Sequence, residues 1–272
     1  MRSLLLAALI PAALVAVPAL QIVKPIVSQS DGGEPDAPGF EHIAGETLYF
    51  TCHIDGFTKD ASNKVHVAYS VQALDPRGVA LAEIYKNEVF DEVLPQDKDW
   101  LPKVETELEI PPLVPAGEYK IVVKAEDLLA KTSAEMPIPF RIRGVKLEAS
   151  ATLVIRNFGF FRGEDDAQAL AKPVYRNGSQ MWARFDITGY KYGANNRVDV
   201  SYVVSIMSGE RVLKTFDPAV EQSESFYPKP WIPATFNVPL NSVQAGDYTL
   251  VVRVKDAAGN QNIETRKTFT VQ

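Results

Sequence analysis

Apolar and polar residues alternate with a period of two along most of the chain. Leu48, Phe50, Cys52 and Ile54 are separated by Tyr49, Thr51 and His53, and Val65, Val67, Tyr69 and Val71 are separated by His66, Ala68 and Ser70. That period puts alternate side chains on opposite faces of an extended backbone, so the runs predict half-buried β-strands. Turn residues punctuate them. Asp75-Pro76-Arg77-Gly78 and Ser208-Gly209-Glu210 each close a strand, and Ala257-Ala258-Gly259-Asn260 predicts a hairpin between Leu250 to Lys255 and Ile263 to Val271. Beyond the amino-terminal segment no stretch carries a sustained helical stripe, so the expected class is all-β.

The pattern occurs twice. Gly45 to Phe57 aligns with Gly178 to Tyr190 at an offset of 133 residues, and the same offset carries Val65 to Val71 onto Val198 to Val204 without a gap. Farther on, Trp100-Leu101-Pro102 matches Trp231-Ile232-Pro233, and Ala116-Gly117-Glu118-Tyr119 matches Ala245-Gly246-Asp247-Tyr248. The order of blocks is conserved, so each copy is expected to be a whole domain: 20–144 and 145–272, joined near Arg143-Gly144-Val145-Lys146. Several short strands with regular turns in about 120 residues predict a two-sheet antiparallel sandwich. The 272 residues are enough for two such cores without disulfide staples.

The Ala-Gly-Glu-Tyr-Lys-Ile run at 116–121 and the Ala-Gly-Asp-Tyr-Thr-Leu run at 245–250 resemble the tyrosine corner of immunoglobulin-like and fibronectin-type sandwiches. The resemblance implies that Tyr119 and Tyr248 are structural corner tyrosines whose hydroxyls return to the backbone. Ile121 and Leu250 stand where antibody domains carry a cysteine, so the inter-sheet disulfide of those domains has no counterpart. The Lys-Asp turn and terminal strand that follow resemble the Ig-like repeats of bacterial exported proteins. Folds of this kind host many unrelated functions, so the resemblance implies a fold and not an activity.

The first residues read as an address. One positive charge at Arg2, an apolar run from Leu4 to Val17 and small residues around Val17-Pro18-Ala19 fit a secretory signal spanning 1–19. Pro11 and Pro18 weigh against the competing reading of a retained membrane span. The expected location is periplasmic or extracellular, with no stable membrane span after cleavage.

Charge changes the picture in one respect. The net charge of −6 argues against nucleic acid as a partner. It is unevenly placed: 21–146 holds 13 basic against 21 acidic residues, a balance of −8, whereas 147–272 holds 14 against 13, a balance of +1. Glu83, Glu88, Asp91, Glu92, Asp97, Asp99, Glu105, Glu107 and Glu109 crowd one stretch. On exposed strand edges such acids discourage aggregation; a basic partner or a cation is the functional alternative.

Chemistry-bearing residues are few. Cys52 shares the inward phase with Leu48 and Phe50, and Phe185 replaces it in the second copy, so it is expected in the core. His42, His53 and His66 all fall in the first copy and are expected at the surface, with His53 and His66 on opposite sheets. Glu164-Asp165-Asp166 and Asp97-Lys98-Asp99 read as solvated loops, with calcium between loops left open. No dinucleotide, phosphate-loop or nucleophile-elbow pattern is present, so neither a cofactor nor an enzyme is expected.

Aromatics outside the core phase remain. Trp182 points opposite to Met181, Ala183 and Phe185; Tyr190 and Tyr192 follow in the next loop, and Phe226, Tyr227 and Trp231 precede Pro233. Flat aromatics on a sandwich face stack on sugars or anchor a protein. Trp182, Tyr190 and Tyr192 are thus candidate binding residues for a protein or glycan partner. The competing reading makes Trp100 and Trp231, repeated in both copies, structural, and Trp182 cover for the junction with the first copy. The function expected is a non-enzymatic binding or structural module, with carbohydrate binding through the second copy as the alternative.

Overall fold

The computed structural model describes residues 19–146, 148 and 150–272. Most of the expected signal segment, 1–18, lies outside the described residues. The first copy forms β1 (Gln21–Ser28), β2 (His42–Ile43), β3 (Thr47–Asp55), β4 (Lys64–Leu74), β5 (Tyr85–Glu92), β6 (Lys103–Glu109), β7 (Gly117–Asp127) and β8 (Thr132–Arg143). The second forms β9 (Val154–Phe161), β10 (Val174–Tyr175), β11 (Gln180–Thr188), β12 (Val198–Ser208), β13 (Arg211–Thr215), β14 (Ala219–Ser223), β15 (Trp231–Pro239), β16 (Gly246–Asp256) and β17 (Gln261–Val271). Among the described residues no helix is long and apolar enough to cross a membrane.

The strands make four sheets, ordered β1-β3-β6 and β2-β8-β7-β4-β5 in the first copy, β9-β11-β15 and β10-β17-β16-β12-β13 in the second, with β14 also beside β12. Among the described residues all strand pairings are antiparallel except two: β2 runs parallel to β8, and β10 parallel to β17. Alternation along each strand supplies one apolar face per sheet, and the two faces in each copy meet. Phe50 and Ile54 pack with Val71, Ile121 and Phe140 in one core; Met181 and Ile187 pack with Val200, Leu250 and Phe269 in the other. The chain is an all-β sandwich protein with two cores.

Cys52 is fully buried and unpaired beside this first core, and burial pushes its thiol up to about 12, which keeps it protonated and inert. Phe185 occupies the matching place in the second core. The acidic stretch falls largely on β5 and β6, each an edge strand of its sheet. Glu105, Glu107 and Glu109 point outward from β6, alternating with Val104 and Leu108.

Two expectations need correction. His42 is not at the surface: it is 2% exposed, packed edge-on against Phe40 and Phe140, and its Nε2 lies 2.9 Å from Asp36 Oδ2. Its strand β2 pairs with the end of β8, His42 opposite Ile142. The match of Trp100 to Trp231 is also one residue out. Lys103 faces His53 on β3 while Pro233 faces Asp186 on β11, so Leu101 is the residue equivalent to Trp231. Trp231 is buried in its strand, whereas Trp100 is half-buried in a loop against Phe57.

Candidate functional site

The second copy reaches into the first through the segment 224–230, which links β14 to β15. Tyr227 is 4% exposed and packs within the first core. Its hydroxyl donates to Asp75 Oδ2 at 3.1 Å. Asp75 opens the Asp-Pro-Arg-Gly turn after β4, where Gly78 takes a left-handed φ of 85° that the turn needs. The turn aims the carboxylate inward. Asp75 Oδ1 accepts the N–H groups of Arg77 and Val79, both at 2.8 Å, and Oδ2 accepts Arg77 Nε and Nη2 at 3.1 and 3.0 Å. Burial pushes this carboxyl up, but the bonds from Val79, Arg77 and Tyr227 outweigh it, and the group sits below its ordinary range. Burial, reinforced by the Asp75 charge, raises the Tyr227 phenol to about 12. The pair is therefore a neutral phenol donating to a carboxylate at neutral pH.

Side chains of the second copy hold the segment that carries Tyr227. Tyr190 and Tyr192 both donate to the carbonyl of Lys229, at 2.5 and 2.7 Å, with their rings edge to face. Thr188 donates to the Pro230 carbonyl at 3.0 Å, and Asn196 Nδ2 to the Phe226 carbonyl at 2.6 Å. Lys229 turns its ammonium back to Glu221 and Ser223. Pro228 and Pro230 have no N–H and restrict the backbone, so residues 228–230 offer three carbonyls against one N–H, and the donors of Tyr190, Tyr192 and Thr188 meet two of those carbonyls. Tyr190 is 5% exposed and Tyr192 41%.

Trp182 lies elsewhere. It is half-buried near the start of β11, opposite Asn237 on β15 and Phe161 on β9, whereas Tyr190 and Tyr192 follow the far end of that strand. The structure therefore does not bring the three candidate aromatics into one site. Beside Trp182, Gln180 Nε2 donates to Asn237 Oδ1 at 3.2 Å, and the Arg184 guanidinium lies over the Phe161 ring at 3.5 Å while donating to the Asp166 carbonyl.

Tyr119 and Tyr248 open β7 and β16. Their hydroxyls donate to the carbonyls of Pro115 and Gln244, each four residues upstream and each at 2.7 Å. Tyr119→Phe and Tyr248→Phe should each lower stability by about 1 kcal/mol with the fold intact. Urea unfolding midpoints unmoved in both variants would mean that water serves these hydroxyls equally well.

Another repeated pair escaped sequence reasoning. Asp127 and Asp256 end β7 and β16 and are fully buried. Asp127 accepts the N–H groups of Thr58, Leu129 and Ala130; Asp256 accepts those of Lys191 and Gly259 and the amide of Gln261. The signal was the shared Asp one residue after Glu126 and Lys255, at the end of an alternating run. Tyr227 and Asp75 carried a different signal: Asp-Pro-Arg-Gly is present only in the first copy, and Tyr-Pro-Lys-Pro only in the second.

Each copy also has a shallow groove on the outer face of its larger sheet. The first, about 750 Å³, has Ala68 and Ser70 on its floor beside the Lys124–Glu135 ion pair. The second, about 420 Å³, has Ser201 and Val203 beside the Arg253–Glu264 pair. Among the described residues no three His, Cys, Asp or Glu side chains converge as a metal site would require.

No family model matches the chain, and no curated protein does. Among solved structures, the chain is similar to the C-terminal domain of the Streptococcus pyogenes antigen I/II-family protein AspA, with 11% identity, a TM-score of 0.34, and 94% of this chain and 99% of that one covered. The Streptococcus agalactiae AgI/II polypeptide BspA C-terminal domain matches at 9% identity and a TM-score of 0.31, over 94% and 99% of the two chains. Red sea bream transglutaminase matches at 8% identity and a TM-score of 0.28, over 95% of this chain and 32% of that one. Scores and identities this low transfer no activity, ligand or partner to the chain.

Proposed function

We propose that the chain is an exported, non-enzymatic module of two tandem immunoglobulin-like sandwich domains, 20–144 and 145–272, that holds its two domains at a fixed angle as a rigid structural or binding support. The observation that carries this reading is the insertion of Tyr227 into the first core, bonded to the buried Asp75 and braced from behind by Tyr190 and Tyr192. A flexible tandem needs only a short linker, whereas here a side chain of one domain completes the interior of the other. The strand order supports the domain division: β1, β3 and β6 share one sheet as β9, β11 and β15 do, and the order β2-β8-β7-β4-β5 of the other sheet is matched by β10-β17-β16-β12-β13. The apolar segment Leu4 to Val17 followed by Ala19 supports export.

The test is the distribution of distances between spin labels placed on the outer faces of β8 and β17. The wild type should give one narrow distribution, and Tyr227→Ala a broad one with both domains still folded. A broad distribution in the wild type would remove the reading. Carbohydrate binding remains a second reading because Trp182 sits beside the Gln180–Asn237 amide pair, an aromatic next to polar groups of the sort that orient a sugar. Under it Trp182→Ala should abolish glycan-array binding without altering the distance distribution. Tyr190 and Tyr192 are assigned to the junction in both readings.

A further inference from the structure

The larger sheet of each copy ends in an unpaired edge, and the two edges complement each other. In the first copy β5 pairs with β4 alone, and in the second β13 pairs with β12 alone, so among the described residues the far side of each strand has no strand partner. On β5 the run Glu88-Val89-Phe90-Asp91 reads acid, apolar, apolar, acid; on β13 the run Arg211-Val212-Leu213-Lys214 reads base, apolar, apolar, base. Phe90 is 67% exposed, Val212 49% and Leu213 45%, apolar surface at two strand edges that pairing would cover. Glu88 is held outward by His66 at 2.8 Å, and the Lys64 ammonium lies over the Phe90 ring.

The geometry points to head-to-tail association of this chain with further copies of itself, β5 of one adding to β13 of the next. In an antiparallel approach Glu88 lies toward Lys214 and Asp91 toward Arg211, on either side of the bulge that β13 carries between Val212 and Lys214, with Phe90 beside the exposed Val212 and Leu213 while Val89 packs on its own core; in a parallel approach the acids and bases exchange partners but still oppose each other. Main-chain hydrogen bonds on the two sides of the bulge and cover of the exposed apolar side chains supply affinity, and cross-strand charge pairs supply the choice of partner. The same charges forbid the alternatives. Two β5 edges would set acid against acid, and two β13 edges base against base, so the symmetric dimers are repelled and only the heterologous pairing is favoured. A heterologous contact that does not close grows as an open chain. The pairing uses outer edges and does not depend on the junction at Tyr227.

Sedimentation velocity across a concentration series tests it, with two charge-reversed variants: Arg211→Glu with Lys214→Glu, and Glu88→Lys with Asp91→Lys. The wild type should form species that grow with concentration and shrink with added salt. Each variant alone should associate more weakly, by on the order of tenfold or more. Mixed, the two variants should associate again, because the acidic β5 of the first meets the basic β13 of the second and the basic β5 of the second meets the acidic β13 of the first. That recovery also shows that both variants are folded. A wild type that stays monomeric at low salt and high concentration would overturn the proposal. So would variants that associate as the wild type does, or a mixture that fails to recover when circular dichroism shows both variants folded.

Discussion

Asp127→Ala and Asp256→Ala should each destabilise their core by about 3 kcal/mol, read as a drop in urea midpoint. Each removes a fully buried carboxylate that accepts three N–H bonds, from two loops for Asp127 and from two loops and the Gln261 amide on β17 for Asp256. A bond to a charged acceptor contributes about 1.5–3 kcal/mol, and the abandoned donors cannot all reach water. For Asp127 the bonds join the turn after β3 to the turn after β7, elements on opposite sheets, so the carboxylate ties the sandwich together at one end. Burial raises the carboxyl of Asp127, but the N–H groups of Ala130, Thr58 and Leu129 more than compensate and hold it below the ordinary Asp range. A depressed folded-state value means stability that is present above the ordinary range and lost as pH falls through the depressed one. Wild-type stability should therefore decline below about pH 4, and Asp127→Ala should show a shallower decline because it has already lost that contribution. Equal slopes for the two proteins would show that other carboxylates carry the acid response.

Gly56→Ala and Gly189→Ala should be comparably damaging. These glycines occupy equivalent positions after β3 and β11, with left-handed φ values of 74° and 77°. A Cβ at Gly56 would run into the carbonyl of Ala19, and one at Gly189 into that of Thr152, the residues leading into β1 and β9. Left-handed backbone alone costs a non-glycine residue about 1–2 kcal/mol, and the clash with a backbone oxygen adds to it because a strand would have to shift. Gly78→Ala isolates the first term, since Gly78 has φ 85° and open space where its Cβ would stand. The expected order is a loss of about 1 kcal/mol at Gly78 and about 3 kcal/mol at Gly56 and Gly189. Three equal losses would show that the strands yield freely to the added methyl.

Strands and their repetition were legible because both are local. A period of two is visible within seven residues, and each aligned block needs nothing beyond itself. The alternation placed Cys52 inward and Trp182 outward from their neighbours alone. The junction was illegible for the opposite reason. Tyr227 meets Asp75 across 152 residues of sequence, and a tyrosine in a Pro-rich loop carries no local mark of the interior it enters. Pattern reading also assumes that burial belongs to apolar residues. His42, Asp75, Asp127 and Asp256 are polar and buried, each relieved by hydrogen bonds whose donors or acceptors the sequence does not set beside it. The shift of Trp231 against Trp100 is a smaller failure of the same kind, because a one-residue change of loop length is settled by strand register and not by residue likeness.

The Tyr227 contact also imposes an order in time. Synthesis runs from the amino end, so every strand of the first copy through β8 exists before residue 227 is made. Until then the Asp75 carboxylate has Arg77 and its own turn for partners, and the place that Tyr227 takes in the first core is open to water. The first core can collapse at this stage, but its last member comes from the second copy. The half that is made first thus cannot be finished alone, and its interior closes only when Tyr227 docks.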